Sequence, residues 1–123
     1  MRRLPFFATL AVIIGCAEQG VRVPSISLLN NSQTSIIYLA VERETANRVD
    51  ISDSVRVAGA VDRLVAVGES KVIDIMGYSP GKDIRLFVYR LATPTAVTAT
   101  YDRFIDAPDW RLRLLGYRII VRD

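Results

Sequence analysis

Apolar and polar residues alternate along most of the chain from residue 25 onwards. The clearest example is segment 83–91, where Ile84, Leu86 and Val88 alternate with charged and aromatic residues. Period-two alternation places successive side chains on opposite faces of a β-strand. Strong turn signals bound this segment on both sides. The segment is therefore predicted to be a central strand, in which Leu86 and Val88 are buried.

Further strands are predicted between clusters of glycine, proline and asparagine, which interrupt strands and favour turns. They are residues 25–28 and 35–43, which we expect to form a first hairpin around the turn at 30–33, and residues 71–76, 95–105, 110–114 and 117–122. In the segments near the end, Trp110, Leu112 and Leu114 share one face of their strand, and Ile119 and Val121 point inward. These faces are predicted to belong to the core.

Residues 44–67 have the least regular pattern in this part of the chain. Apolar residues from Val55 to Leu64 recur at i, i+3 spacing, which fits a helix. Gly59 and the β-branched valines disfavour a helix, because both residue types have low helix propensity. We expect extended structure here, with a short strand at 55–57.

The predicted fold class is all-β. About seven to eight short strands at 8–12-residue spacing are typical of a β-sandwich or barrel. We expect a single antiparallel β-sandwich, immunoglobulin-like or similar, over residues 25–123. No internal repeat and no second domain is apparent in the sequence.

The composition excludes several kinds of chemistry. The chain has no histidine and one cysteine. Structural zinc prefers cysteine and histidine ligands, and a serine or cysteine triad normally needs a histidine base. We therefore expect neither a metal nor another cofactor, and no enzyme activity. A single cysteine also leaves no disulfide within the chain, so the apolar core must supply the stability.

The first fifteen residues have the pattern of an export signal. Arg2 and Arg3 precede 12 uncharged residues, 4–15. The apolar region of a signal peptide is about 7–15 residues long, whereas a transmembrane helix needs about 20. The alternatives are a short membrane anchor and a buried N-terminal strand, and a cleaved signal peptide fits the length better.

The end of this segment, Ile13-Ile14-Gly15-Cys16, resembles the lipobox of bacterial lipoproteins, and the next residues are polar. The resemblance covers only the N-terminus. It implies cleavage between Gly15 and Cys16 and acylation of Cys16 with palmitate-type chains. The chain then divides into a signal peptide at 1–15, a lipid-anchored tether at 16–24 and the β-sandwich at 25–123.

The same resemblance predicts a location at a bacterial membrane. Ala17 follows the cysteine where aspartate would favour the inner membrane, so in a Gram-negative host we expect the periplasmic face of the outer membrane. Nine extended tether residues reach only about 30 Å, which keeps the domain close to the bilayer. Removing Arg2 and Arg3 leaves 14 basic and 13 acidic residues without a basic block. No nucleic-acid partner is expected.

Two short polar motifs resemble known sites. Ser79-Pro80-Gly81-Lys82 matches the Ser-x-x-Lys nucleophile motif of penicillin-binding proteins, but that family's Ser-Asp-Asn and Lys-Thr-Gly partners are missing. Residues 50–54, Asp-Ile-Ser-Asp-Ser, are similar to the first part of the metal site in von Willebrand A domains. Proline, glycine, aspartate and serine also favour turns, so we expect a loop at both places.

Three aspartates, Asp102, Asp106 and Asp109, lie close to Tyr101 and Trp110 in the sequence. Two carboxylates across a cleft can hydrolyse a glycoside. The interpretation that we favour is a strand end and a solvated turn, with Trp110 packed in the core.

The functional prediction is a non-catalytic envelope lipoprotein with a binding or structural role and an envelope protein as its partner. The alternative is a module that binds glycan or peptidoglycan through Tyr78, Tyr89, Tyr101 or Trp110. An exposed aromatic strip would favour the glycan. Buried aromatics beside an exposed strand edge would favour a protein that adds a strand to the sheet.

Overall fold

The computed structural model describes residues 25–76 and 81–123. Of these residues, 46% are in strands and 19% in short helices. The strands are β1 (Ser27–Asn31), β2 (Ile36–Glu42), β3 (Ser54–Arg56), β4 (Leu64–Val65), β5 (Ser70–Val72), β6 (Ile75–Met76), β7 (Ile84–Arg90), β8 (Thr98–Ala107) and β9 (Arg118–Arg122). The α-helix α1 is Asp109–Leu114, and 3-10 turns cover Arg43–Arg48, Val57–Gly59 and Val61–Arg63.

The strands form two sheets. The small sheet has the order β5-β1-β9, and the large sheet has the order β3-β8-β7-β2-β4. β6 pairs with the far half of β2, beyond β4, so β4 and β6 share one position. Eight strand positions result, within the predicted range, and the two-layered β architecture of the sequence prediction is confirmed in this coarse form.

The pairing is mixed rather than purely antiparallel, and this corrects the sequence prediction. β1 runs parallel to β9, and β2 runs parallel to β6, while the other pairs are antiparallel. Parallel neighbours need a connection that returns the chain to the same end of the sheet. The long strand β8 and the helix α1 bring the chain back to this end before β9 begins.

The predicted hairpin of the first two strands is wrong, although the turn between them is present. β1 belongs to the small sheet and β2 to the large sheet. The buried Asn30 holds this crossing, because its Nδ2 donates to the carbonyls of Thr34 at 2.8 Å and Val65 at 3.0 Å, and its Oδ1 accepts from the backbone N–H of Ser32. A buried amide whose hydrogen bonds are met is tolerated in a core, and here it connects the turn to β4.

Segment 71–76 also divides between the sheets instead of forming one strand. β5 pairs with β1 and β6 pairs with β2. At the crossing, Ile73 donates its backbone N–H to the carbonyl of Ile26 at 2.9 Å, and the backbone N–H of Asp74 donates to the Tyr38 hydroxyl at 3.2 Å. The period-two pattern predicted the extended backbone correctly but carried no information on the change of sheet.

β7 is the central strand of the large sheet, as predicted, and it is buried on both faces. Leu86 and Val88 are fully buried between the two sheets. Phe87 and Tyr89 are buried on the opposite face, under the segment from β2 to β4. That segment combines β3 and the three 3-10 turns, so the expected extended structure at 44–67 is present only in short pieces.

The predicted strand at 110–114 is wrong, because these residues form α1. The alternation of Trp110, Leu112 and Leu114 fits a strand equally well over so short a length. Three features favour the helix. Pro108 precedes it, the backbone N–H of its first residue, Asp109, donates to Asp83 Oδ1 at 2.9 Å, and Arg113 pairs with Asp109 at 2.9 Å. A charged i, i+4 pair stabilises a helical turn.

The turn after α1 determines where β9 begins. Gly116 and Tyr117 both have positive φ, 69° and 60°, which is unusual for a tyrosine. The Tyr117 N–H donates to the Leu112 carbonyl at 2.6 Å, and its own carbonyl accepts from Ser27 at 3.1 Å. The first residues of β1 and β9 therefore lie side by side, Ser27 opposite Arg118. We call this end of the sandwich the α1 end.

The opposite end of the sandwich is called the Arg90 end. There, Arg90 Nη1 lies 3.1 Å from Thr34 Oγ1 and 3.5 Å from Asp123 Oδ1. The Gln33 N–H also donates to Asp123 at 3.2 Å. The loop between β7 and β8, with the exposed Val97, belongs to this end as well. The two ends thus differ in which parts of the chain they expose.

The central position of β7 leads to a stability prediction. Leu86→Ala should lower the free energy of unfolding by about 2–5 kcal/mol, because it removes a fully buried side chain and leaves a cavity. Val97→Ala is the matched control, since Val97 is 74% exposed, and it should change stability by less than about 0.5 kcal/mol. Urea unfolding of both variants measures the difference, and equal midpoints would contradict the assignment of β7 to the core.

Candidate functional site

The aromatic residues predicted to bind a ligand do not form one exposed strip. Tyr89 is 2% exposed and donates its hydroxyl to the Ser52 carbonyl at 3.0 Å. Burial raises the pKa of the Tyr89 hydroxyl above its ordinary value of 10.0, which keeps it protonated. Tyr101 is half-buried, and its ring centre lies 5.5 Å from that of Tyr89 in an edge-to-face arrangement. Both rings pack on the outer face of the large sheet.

Trp110 is placed differently from the prediction. We expected this ring in the core of a strand, but it is 65% exposed on α1. The inward position of this helix is taken by Leu112, which is 1% exposed. Tyr78 and the predicted lipidation and cleavage residues, Gly15 and Cys16, lie outside the described residues. Trp110 is therefore the one ligand-binding candidate in the described part of the chain that presents its ring to solvent.

Each of the three clustered aspartates is engaged by arginine. Asp106 accepts two hydrogen bonds from Arg85, at 2.7 and 3.0 Å. Asp102 lies 2.8 Å from both Arg90 and Arg103. Asp109 pairs with Arg113 on α1, as described above. The hydrogen bonds from Arg85 lower the pKa of Asp106 below its ordinary value of 3.8. These aspartates thus act as structural anions, although only Asp106 lies at a strand end, whereas Asp102 lies within β8 and Asp109 begins α1.

The Arg85 guanidinium also contacts an aromatic ring. Its central carbon lies 4.0 Å from the ring centre of Phe104, which is 46% exposed. Phe104 in turn packs on Phe87, with ring centres 6.3 Å apart. A guanidinium held between a carboxylate and an aromatic face is well ordered. This cluster continues the outer aromatic core toward solvent and fixes the position of Asp106.

Residues of the two polar motifs make contacts that belong to the fold. Lys82 of the Ser-x-x-Lys motif lies 3.4 Å from Glu44, while Ser79 lies outside the described residues. In segment 50–54, the Ser52 carbonyl accepts from Tyr89, and the Asp53 carbonyl accepts from the Tyr101 N–H at 2.8 Å. This segment therefore packs as a cover on β7 and β8.

A groove of about 260 Å³ lies between β8, α1 and β9. Half-buried Ile105 and Ile120 and the exposed Leu115 form its apolar surface, over the buried Leu112 and Ile119. Three exposed arginines line it, namely Arg111, Arg118 and Arg122. Asp106 also lines the groove, with its carboxylate held by Arg85. The groove thus combines an apolar surface with three arginines that have no such partner, a combination suited to an extended segment with apolar and acidic side chains.

Two strand edges border this groove. β9 pairs with β1 on one side, and the described residues provide no strand on its other side. β8 pairs with β3 only at Thr98–Thr100, so its second half has β7 as its single neighbour in the described structure. Unpaired edges present backbone N–H and C=O groups to a further strand.

The Arg90 end of the groove is closed by side chains. The Arg122 carbonyl accepts a hydrogen bond from Arg90 at 3.2 Å and another from Arg103. This carbonyl therefore points away from β1, and because backbone groups alternate along a strand, those of Ile120 and Arg118 point the same way. Their amides and carbonyls are directed at the groove.

The three groove arginines were not recognised as a group from the sequence. Four arginines fall within the last 13 residues, and fourteen of the sixteen basic residues in the chain are arginine. The high arginine content is visible in the sequence, but it does not reveal which arginines pair with aspartate. Arg85, Arg90, Arg103 and Arg113 have carboxylate partners. Within the described ranges, no carboxylate lies within 4.0 Å of the three groove arginines.

Among residues 25–76 and 81–123, no group of three or more acidic, cysteine or histidine side chains is arranged to hold a metal ion. The helices of the described part are all too short or too polar to cross a bilayer. No family model, curated protein or solved structure matches this chain significantly.

The Arg85–Asp106 pair predicts a pH dependence of stability. Because the pKa of Asp106 is lowered in the folded state, the pair stabilises the fold fully at pH values well above 3.8, the ordinary pKa, and loses this effect as the pH falls below 3.8 and through the lowered pKa of the folded state. Asp106→Asn should reduce the unfolding free energy at pH 7 by about 1 kcal/mol, since solvent screens this partly exposed pair. At pH 3 the reduction should be smaller.

Urea unfolding at the two pH values measures this difference. Asp62→Asn is the control, because Asp62 is exposed and has no ion pair among the described residues. The control should unfold like the unsubstituted protein at both pH values. An equal loss for Asp106→Asn at pH 7 and pH 3 would contradict a stabilising role of the ionised Asp106.

Proposed function

We propose that the protein is an exported bacterial lipoprotein whose sandwich domain binds a protein partner at the cell envelope and is not an enzyme. The observation that supports partner binding best is the edge of β9 that has no neighbouring strand among the described residues, beside an arginine-lined apolar groove. The lipid anchor depends on the motif Ile13-Ile14-Gly15-Cys16. The proposed location is the periplasmic face of the outer membrane in a Gram-negative host, and the proposed topology is immunoglobulin-like.

An exposed edge usually requires protection. Natural proteins shield edge strands with short length, charge, bulges or a covering segment, because an open edge pairs with other chains. β9 has five residues with an arginine at each end, and within residues 25–76 and 81–123 no strand pairs with its backbone at Arg118 and Ile120 on the side away from β1. A partner strand can add here through main-chain hydrogen bonds, while side-chain pockets select its sequence.

The groove defines the chemistry of the partner. Its apolar surface fits alternate apolar side chains of an extended segment. Arg118 and Arg122 are four residues apart on β9, and their side chains therefore share one face of the strand. Acidic side chains on the incoming segment would pair with them. We therefore propose an extended, acidic and partly apolar segment of an envelope protein.

The arrangement of the aspartates supports a role without catalysis. A glycosidase needs one carboxyl group with a raised pKa beside a second carboxylate. Asp106 has a lowered pKa, and Asp102 and Asp109 are held by arginines. Their shared environment favours stable ion pairs, which contribute to the folded structure instead of exchanging protons with a substrate.

Glycan binding is the second candidate, and the exposure of Trp110 favours it. A sugar ring stacks on an exposed aromatic face, and 65% of this ring is accessible. Tyr89 and Tyr101, however, pack on each other and on the outer core. A single exposed ring gives this candidate less support than the groove gives to a protein partner.

The lipid anchor is tested at the cysteine. Cys16→Ser should abolish incorporation of a clickable fatty acid and leave the precursor uncleaved, because the thiol is the acylated group in the lipoproteins that this motif resembles. Ser25→Ala is a control outside the motif and should retain the label. Equal labelling of the Cys16→Ser variant and the unsubstituted protein would refute the anchor.

The groove is tested by photocrosslinking in intact cells. A photoreactive residue at position 120, on the open edge of β9, should give a discrete product with one protein. Arg118→Glu should lower the yield about tenfold, equivalent to 1.4 kcal/mol, because reversing the charge repels an acidic segment. The matched control carries the same photoreactive residue at position 56, on the β3 edge of the large sheet.

Mass spectrometry of the products identifies the partner. A product that forms at position 120, decreases with Arg118→Glu and is absent at position 56 supports the proposal. A product with the mass of two copies identifies a second copy of this chain as the added strand. The same products from both positions would contradict a specific site at β9.

A further inference from the structure

We propose that the exposed apolar face at α1, formed by Trp110 and Leu114 of the helix and by Leu115 directly after it, docks on a bilayer surface that carries anionic lipids. This inference rests on the proposed lipid anchor and extends it. An anchor attached through a tether holds the domain near the membrane but does not orient it. A docking face on the domain itself would give the β9 groove a defined direction relative to the bilayer.

The docking face is apolar and points away from the core. Trp110, Leu114 and Leu115 are 65%, 75% and 51% exposed. In an α-helix, residues four apart lie on one side, so Trp110 and Leu114 are neighbours on the surface. Leu112, halfway between them, points to the opposite side and is buried in the core. The helix thus packs against the core through Leu112, while Trp110, Leu114 and the following Leu115 are exposed to solvent.

The charges beside this face favour an anionic surface. Arg111 and Arg113 flank the apolar side of the helix, and Arg118 follows at the start of β9. Arg113 pairs with Asp109, while Arg111 and Arg118 have no carboxylate within 4.0 Å in the part of the chain that the structure describes. Each arginine near an anionic membrane raises binding by roughly fivefold. Tryptophan is enriched where headgroups meet acyl chains, since its ring is apolar and its N–H is polar.

Several other charged groups at the α1 end have partners of opposite charge, whereas Glu42 and Asp74 have no basic partner within 4.0 Å among the described residues. Lys82 pairs with Glu44 at 3.4 Å. Arg43 lies 4.0 Å from Asp83 and 3.7 Å from Asp106. The positive charge beside the apolar face itself is therefore that of Arg111 and Arg118.

The position of the N-terminus supplies an independent argument. The parallel pairing of β1 with β9 places Ser27 beside Arg118, directly after the turn that follows α1. The proposed lipidation site, Cys16, is nine residues before Ser25, a distance of at most about 30 Å. The tether therefore joins the domain at the same end as the docking face. A domain anchored at this end would present α1, and not the Arg90 end, to the bilayer.

Anchoring also makes a small docking face sufficient. Three apolar side chains and two or three arginines bind a membrane weakly by themselves. A tether converts the second contact into an intramolecular one and raises its effective concentration. The short helix then needs only modest affinity to stay at the surface, and its binding should respond to lipid composition.

The test uses the intrinsic fluorescence of the full chain, because Trp110 is its one tryptophan. The protein is reconstituted in vesicles of phosphatidylcholine, with or without phosphatidylglycerol, and with acyl chains that are brominated or not. We expect Trp110 emission to shift to shorter wavelength and to be quenched by the brominated chains, more strongly with phosphatidylglycerol. Leu114→Glu should abolish this quenching.

Two further variants separate docking from a change in folding. Val97→Glu is the matched control, since Val97 is equally exposed but lies at the Arg90 end, and it should leave the quenching unchanged. The double variant Arg111→Gln, Arg118→Gln should lose the enhancement by phosphatidylglycerol, by roughly fivefold per arginine. Circular dichroism should be the same for all variants, because all of these side chains are exposed.

Labelling with a clickable fatty acid on the same samples distinguishes docking from anchoring. Labelled protein without quenching would overturn the docking face and leave the lipid anchor standing. Quenching of unlabelled protein would support docking and overturn the anchor, and loss of both signals would overturn both. Equal loss of quenching in Leu114→Glu and Val97→Glu, or a Trp110 response to soluble peptidoglycan fragments without quenching by lipid, would also overturn the docking proposal.

Discussion

The parallel pairing of β1 with β9 is the contact on which the arrangement of this domain depends. Five residue pairs, from Ser27 with Arg118 to Asn31 with Arg122, join the first and last strands of the described structure. Because both strands start at the same end, the chain returns to that end along β8 and must then cross from the large sheet to the small one. Helix α1 and the positive-φ turn at Gly116 and Tyr117 make this crossing. The groove between β8 and β9 and the exposure of Trp110 are consequences of it.

The large sheet imposes a second requirement, because its central strand is apolar on both faces. The small sheet covers Leu86 and Val88, and a segment with little regular structure covers Phe87 and Tyr89. That segment makes its contacts through backbone groups as well as apolar side chains, as the bonds of Ser52 and Asp53 to the two tyrosines illustrate. A core held in two layers suits a chain that has no disulfide available.

The arginines divide into two groups with different consequences. Those on β7 and β8 pair with aspartates, and Arg90 and Arg103 also close the last carbonyl of β9. Those on α1 and β9 line the groove or flank the exposed helix face. The first group stabilises the edges of the sandwich, and the second leaves positive charge where backbone and apolar side chains are accessible. This contrast supports both proposals, a partner strand in the groove and a bilayer beneath α1.

The features of this fold that can be predicted from the sequence are those set by short stretches of residues, such as strand periodicity and turns. Period-two alternation identified β7 as the central strand with Leu86 and Val88 inside, and it placed Ile119 and Val121 inward on β9, because a strand's two faces meet different surroundings. Turn residues located most of the strand boundaries. The absence of histidine argued against structural zinc and against a histidine-dependent catalytic triad. The N-terminal motif led to the prediction of a lipid anchor.

The tertiary structure decided which strands pair and which side chains remain exposed. Alternation predicts that a segment is extended but not its neighbour, so the first hairpin and the unbroken strand at 71–76 were wrong. At Trp110 the pattern was too short to separate a strand from a helical turn, and contacts from Asp83 and Arg113 decided between them. The groove consists of residues from β8, α1 and β9, and the pairing of Asp106 with Arg85 spans 21 positions in the chain. Such sites form only when distant segments meet, and no local pattern records which segments those will be.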